Sequence, residues 1–188
     1  KLGVYFSIIS NFFLNKRRIF FRKILSLFTG IDASVTLPRF NKISFRKIFA
    51  KYKKQFEFKK HYNEKILIFN SCYVNYNDSK IGEALVKVLE KNNVYMEQFY
   101  EGCCKMPQLE QGKVHEVQLQ SEKTAHILKE KIDQGFKVVT PIASCALMIK
   151  SHWPLLNPDN KNIARLAKET MDIDEYIWDL NNRKGLVD

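Results

Sequence analysis

Four cysteines are the residues of this chain best suited to chemistry: Cys72, Cys103, Cys104 and Cys145. Two are adjacent, with 30 residues between Cys72 and the doublet and 40 between the doublet and Cys145. Neighbouring cysteines do not readily bridge each other, because the Cα separation is short and the disulfide dihedral is strained. Both can face a metal if the backbone bends, and Gly102 before them and Pro107 after them are expected to bend it. Four thiols in a lysine-rich chain are too few for a disulfide scaffold and read as metal ligands or redox thiols. Thiolates select soft metals, as zinc or as iron–sulfur. Structural zinc usually takes repeated close pairs of the form C-x-x-C. Here the run from Cys145 ends in Met148 instead. A doublet with two distant partners suits a cluster, whose several iron atoms are ligated from different directions. The bland alternative is four independent buried cysteines acting as small apolar residues.

The elements that must position these thiols follow from periodicity. Residues 65–69 form a continuous apolar run, expected as a strand buried on both faces. A polar loop is expected over 73–78, then a helix over 79–92 with Ile81, Leu85, Val88 and Leu89 as its buried stripe. Residues 94–99 read as a second strand, 113–133 as a long helix stopped by Gly135, and 136–140 as a third strand. Residues 146–152 read as helical, with Trp153-Pro154 as the stop, and two helices over 163–171 and 174–183 finish the chain. Alternating strands and helices predict an α/β fold, a small parallel sheet with flanking helices. Strand C-termini in such a sheet share one edge, and ligands bind there. A cysteine follows the end of each expected strand, which is the argument for one shared site.

The net charge of +11 is unevenly spread. Residues 1–60 hold 15 Lys/Arg against 2 Asp/Glu and 11 of the 14 phenylalanines, whereas residues 61–188 hold 16 Lys/Arg against 18 Asp/Glu. Two parts are expected: a basic aromatic helical arm over 1–60 and an α/β body over 61–188. The apolar run 4–14 is too short to cross a bilayer. Positive residues cluster after it rather than before it, and no small-residue cleavage site of a signal peptide follows. Helical spacing relates Phe20, Phe21, Ile24, Leu25 and Phe28, and again Phe45, Ile48, Phe49 and Tyr52. Two accounts fit these helices. Either they pack on the body, or they lie on anionic lipid with Lys16, Arg17, Arg18, Arg22 and Lys23 near the headgroups. Nucleic acid is not expected, because no binding motif accompanies the charge. Of the four histidines, His61, His115, His126 and His152, the middle two fall eleven positions apart on the long expected helix, too far to share a metal, and His152 reads as a capping or solvent residue; Glu101 and Glu110 read as solvated charges. Lys105 reads either as a counter-charge to a thiolate site or as a surface lysine. No phosphate loop and no Ser/His/Asp arrangement stands out.

The runs Cys72-Tyr73-Val74-Asn75-Tyr76-Asn77, Cys103-Cys104-Lys105-Met106-Pro107, and Ser144-Cys145 with Leu147-Met148 together resemble the cysteine-rich CCG domain. That domain occurs in heterodisulfide reductase, in anaerobic glycerol-3-phosphate dehydrogenase and in related Fe–S oxidoreductases. The resemblance covers residues 20–188. It implies an electron-transfer subunit of a membrane-associated oxidoreductase, with Cys72, Cys103, Cys104 and Cys145 holding an iron–sulfur cluster of the 4Fe–4S type. It further implies flavin-bearing or ferredoxin-like partner subunits, a substrate site on another subunit, and a cytoplasmic position at the inner face of the membrane. Lys105 stands where the family has glycine, and Met148 where it has a second cysteine, as in the first of two such domains. The chain is therefore expected to be a fragment or a split gene product with only that first domain. The alternative is a non-catalytic membrane-docking or interaction module with a vestigial or zinc-binding cysteine site.

Overall fold

The computed structural model describes residues 2–56, 62 and 64–187. His61 and the expected boundary between arm and body lie outside the described residues. In chain order the elements are α1 (Leu2–Tyr5), α2 (Ser7–Leu14), α3 (Ile19–Thr29), α4 (Phe45–Phe56), β1 (Glu64–Phe69), α5 (Cys72–Tyr76), α6 (Ser79–Lys91), β2 (Val94–Phe99), α7 (Met106–Glu110) and α8 (Val114–Asp133). Then follow β3 (Lys137–Thr140), α9 (Ala143–Leu147), a π-helical turn (Met148–His152), α10 (Trp153–Leu156), α11 (Lys161–Lys168), β4 (Thr170–Asp172) and α12 (Ile173–Lys184).

The four strands form one sheet in the order β2-β1-β3-β4, and every pairing is parallel. The expected α/β class is what the chain adopts. Side chains alternate along β1, and each set is claimed by a different layer. Ile66 and Ile68 pack with Leu85 and Leu89 of α6 and with Tyr176 and Leu180 of α12. Leu67 and Phe69 pack with Val117 and Leu128 of α8, with Trp153 and with Ile163 of α11. Both faces are thus covered, which is why β1 is apolar without interruption. Strands β2 and β3 lie on opposite sides of β1, so chain direction across the sheet reverses there. Such a reversal opens a crevice beyond the carboxyl ends of the strands.

The structure departs from the sequence expectations in specific places. The stretch after Cys72 is a short helix rather than a loop. Ser71 caps it by accepting the Val74 N–H at 3.1 Å, and Val74 and Asn75 are buried. Residues 170–172 are a fourth strand rather than the end of a helix. Three residues are too few to show a strand period, and the strand is fixed by pairing Thr170, Met171 and Asp172 with β3. Trp153-Pro154 does not end the helical stretch. Proline sits in the first turn of α10, where its missing N–H costs nothing. Pro107 likewise opens α7 and does not make the bend at the doublet.

The arm is not uniform. Phe45 and Phe49 of α4 are 0% and 1% exposed and belong to the core on the α6 face. For this helix the packing account holds. The first three helices instead leave Tyr5, Ile8, Phe20, Leu27 and Phe28 exposed. Rings of Phe12, Phe13 and Phe21 meet edge to face and join α2 to α3. Arg22, expected among headgroup-facing cations, is 1% exposed. Its guanidinium donates to the carbonyls of Asp32, Ala33 and Val35, closing the loop after α3.

Helix α4 lies so close to α6 that position 82 has no room for a side chain. A Cβ there would stand 2.5 Å from the Phe45 ring, which is enclosed by the core. In an open helix, alanine for glycine would add about 1 kcal/mol of stability. Here the contact must be relieved by moving a buried ring, and overpacking costs about 1–3 kcal/mol. Gly82→Ala is expected to lower stability in urea by about 1 kcal/mol. The loss should shrink in a Phe45→Leu background, since the two sites share one contact. A more stable Gly82→Ala protein would show that the ring has room to move.

Candidate metal centre

The three strands deliver the cysteines to one edge. Cys72 opens α5 directly after β1, the doublet follows β2, and Cys145 lies in α9 after β3. Cys104 and Cys145 are buried; Cys72 and Cys103 are half-buried. All four are free thiols. The Cys72 and Cys103 sulfurs are 3.7 Å apart. Cys103 also meets Cys104, and Cys104 meets Cys145. Cys72 in turn lies near enough to Cys145 to feel its charge. Four thiols from three distant stretches of the chain therefore form one continuous set of contacts. Among the described residues, however, no group of three or more His, Cys, Asp or Glu side chains closes on a point as a site for a single metal ion.

Backbone geometry around the doublet explains how adjacent residues both reach this edge. Gly102 has φ 136° and Lys105 has φ 70°, so the chain turns through positive φ on each side of the pair. Gly102 adopts its conformation without a Cβ to strain it. Lys105 does not have that freedom, and the left-handed region costs an L-residue about 1–2 kcal/mol. The turn directs the Lys105 N–H at the Cys103 sulfur, 3.4 Å away. The Lys105 ammonium pairs with Glu116 at 3.7 Å and still adds positive charge near Cys103.

The thiols are not equivalent. Cys103 is held well below the ordinary thiol range. Hydrogen bonding from Cys104 is the largest cause, followed by that from Cys72 and then by the Lys105 N–H and charge, against the opposing effect of burial. Cys72 is pushed up because it donates to Cys103 and is partly buried. Cys104 is pushed up by its bonds with Cys103 and Cys145 and by burial. The arrangement favours one thiolate, at Cys103, solvated by its thiol neighbours. A thiolate is the form that ligates metal.

The supporting residues were less visible in the sequence. Trp153 is fully buried and donates its indole N–H to the Cys104 carbonyl at 3.2 Å. Its ring stands edge-on to Phe69 at the end of β1. The π-helical turn before it shifts the helical register, so counting from Cys145 does not place Trp153 on the site. Met148 is fully buried in the same core cluster as Cys104, Cys145 and Trp153. Asn70 and Asn75 form a buried amide pair at the end of β1, with Asn70 also donating to Gln98 at 3.4 Å. His115 and His126 are exposed on α8. Glu101 makes a surface ion pair with Lys123, and Glu110 is exposed.

Comparison with known proteins agrees with this geometry. Residues 66–150, which run from β1 into the π-helical turn, match the cysteine-rich domain family CCG. The matched stretch spans all four cysteines and leaves out the arm, α10, α11, β4 and α12. The chain is 26% identical over 145 residues to the C subunit of anaerobic glycerol-3-phosphate dehydrogenase from Escherichia coli (strain K12), covering 76% of this chain and 36% of that protein. It is 30% identical over 118 residues to lactate utilization protein A of Bacillus licheniformis, covering 60% of this chain and 48% of the relative. The Bacillus subtilis (strain 168) protein of the same name is 28% identical over 118 residues, with the same coverage. The matches span 36% to 48% of the length of these relatives. No solved structure matches the chain.

Lys105, directly after the doublet, has a glycine-like conformation. Lys105→Gly is expected to raise stability in urea by about 1 kcal/mol, by removing the left-handed strain. Loss of the partly exposed Glu116 pair should subtract little. Lys105→Val should be destabilising, because a β-branched residue is a worse occupant of positive φ. Equal stability of the glycine and valine variants would show that the turn relaxes freely.

Proposed function

We propose that Cys72, Cys103, Cys104 and Cys145 hold an iron–sulfur cluster, and that the chain is an electron-transfer part of a larger oxidoreductase. The observation that carries this reading is the meeting of four free thiols, with no other ligand type among them, at the sheet edge of a stretch that matches the CCG family. The donor set fits the group: thiolates are the ligands such clusters take. A cluster presents several metal atoms, so its ligands need not close on one centre, which suits the contacts among these four. When bound, it supplies one-electron transfer. The chain's own residues do the rest. Cys103 offers a ready thiolate, and the Lys105 N–H donates toward its sulfur. Trp153 fixes the doublet backbone, and the packing of Met148 and Phe69 keeps water from the inner side. No described side chain is assigned to substrate chemistry. Substrate and flavin are proposed to belong to partner subunits, as the relative named as part of a dehydrogenase suggests.

Anaerobically isolated protein is expected to be brown and to contain about four iron and four sulfide per chain. Cys103→Ser and Cys145→Ser should each lose most of the iron, whereas Met148→Leu, a volume-conserving change in the core, should keep it. A colourless protein carrying stoichiometric zinc after anaerobic reconstitution would overturn the proposal. Full iron retention in Cys145→Ser would remove that residue from the ligand set.

The arm supports a second part of the proposal, a peripheral position on an anionic membrane. No helix of the described residues is long and apolar enough to cross a membrane. Yet Leu27 and Phe28 are each 85% exposed at the end of α3, and Tyr5 and Ile8 are 76% exposed. Lys16 and Arg17, in the turn before α3, and Lys23 on α3 are exposed, and each basic residue near an anionic surface contributes about 1 kcal/mol. Arg22 is not among them, being bound to backbone carbonyls. The chain is expected to sediment with anionic liposomes, less so in high salt, and Leu27→Glu with Phe28→Glu should abolish this without unfolding the body. Unchanged sedimentation of that double variant would exclude α3 as the docking face.

A further inference from the structure

A cavity of about 610 Å³ lies where the arm meets the carboxyl end of β2. Among the described residues three cations line it, Lys42, Arg46 and Lys47, and no Asp or Glu does. Tyr5 closes one side, with the Lys47 ammonium 5.4 Å from its ring centre. Tyr76 and Tyr100 close another, their rings edge to face at 5.6 Å. Tyr100 is near enough to Cys72 and Cys103 for their charge to bear on its hydroxyl. The tyrosine pair thus separates the cavity from the cysteine site. Arg46 is held from both sides: its N–H donates to buried Asn75 at 2.9 Å, and its carbonyl accepts from Gln98 at 3.1 Å. Its position is therefore set by the body, while its guanidinium remains at the cavity.

We propose that this cavity binds a small organic oxyanion, a carboxylate or phosphate carried on an apolar or aromatic body. Like charges brought together at a concave surface without a counter-charge repel one another and raise the local concentration of anions. An oxyanion relieves that repulsion, and the guanidinium matches it by bidentate hydrogen bonding. The size lies in the range of small-molecule pockets, about 300–1,000 Å³. Three aromatic rings with Ile43 supply apolar wall beyond what a bare inorganic ion would use. The ligand would sit beside the cysteine edge, on the far side of the tyrosine pair. This inference concerns binding only and does not depend on a cluster being present, so its failure would leave the iron–sulfur reading standing.

The test is an NMR titration of the full chain with phenyl phosphate, with inorganic phosphate and phenol as separate arms. Phenyl phosphate is expected to bind saturably at one site, perturbing the signals of Tyr76 and Tyr100. Phenol and inorganic phosphate should each bind about tenfold more weakly, since each lacks one half of the recognised group. Arg46→Gln and Lys42→Gln should each weaken phenyl phosphate binding about tenfold, the scale of losing a charged hydrogen-bond partner. Both side chains are exposed, so the fold should persist. Lys129→Gln, which removes one positive charge on the exposed side of α8, should change nothing. No saturable binding, or an equal loss in Lys129→Gln, would overturn the proposal. Inorganic phosphate binding as tightly as phenyl phosphate would overturn the assignment of an organic ligand.

Discussion

Parallel strands cannot be joined by tight turns, and this constraint organises the whole molecule. Each connection must travel back over a face of the sheet before the next strand begins. Every strand therefore ends at the same edge, and three loops separated by most of a domain's length open side by side. Helix α6 makes the first return on one face and α8 the second on the other. The crevice between them is where Cys72, Cys103, Cys104 and Cys145 come into contact. Covering both faces also explains why α4 is drawn in from the arm. The β1–β2 side of the sheet would otherwise leave Ile66, Val94 and Met96 short of apolar neighbours, and Phe45 and Phe49 complete that layer.

Within the crevice, the doublet sets the local terms. Two adjacent side chains normally diverge, and positive φ at Gly102 and Lys105 bends the backbone so that both reach the thiol set. The lysine adopts a conformation suited to glycine and brings a positive charge to the one thiol most easily ionised. Conformational strain at a chemically active position is a recurrent trade, tolerated where the surroundings over-determine the backbone. Here Trp153 and the first turn of α7 supply that determination.

How much of this was legible in the sequence depended on the length of the pattern. β1, β2, α6 and α8 carry enough residues for their apolar period to show, and the cysteines at strand ends could be placed from them. β4 has three residues, and its only signature is its partner, so propensity ran the preceding helix through it. The helix at Cys72 reads as a polar loop because asparagine and tyrosine dominate it. Its burial comes from the amide pairing of Asn70 with Asn75, which no local pattern reveals. Trp153 was hidden by a π-helical turn that breaks the count from Cys145. Arg22 looked like every other cation of the arm, and its burial follows from a loop whose carbonyls happen to face it. The spacing of α3, by contrast, picked out Phe20 and Phe28, which are exposed, but not Leu27, which is equally so.

One contact has a consequence for how the chain is made. Glu64, at the start of β1, accepts hydrogen bonds from Tyr176, 112 positions later, and from Arg183, 119 positions later, and also pairs with Lys184. Burial alone would raise its carboxyl, and these partners bring it down to about 2. The first strand is thus held by the last described helix. During synthesis the central strand emerges long before its α12 partners do, at a rate of roughly 5–20 residues per second. For that interval the face of β1 that packs on Tyr176 and Leu180 is covered only in part, by α4 and α6. The thiol edge can close early, from β1, β2 and β3, whereas the opposite end of β1 closes last. A nascent chain of this fold therefore has its reactive corner assembled before its structural lock is in place.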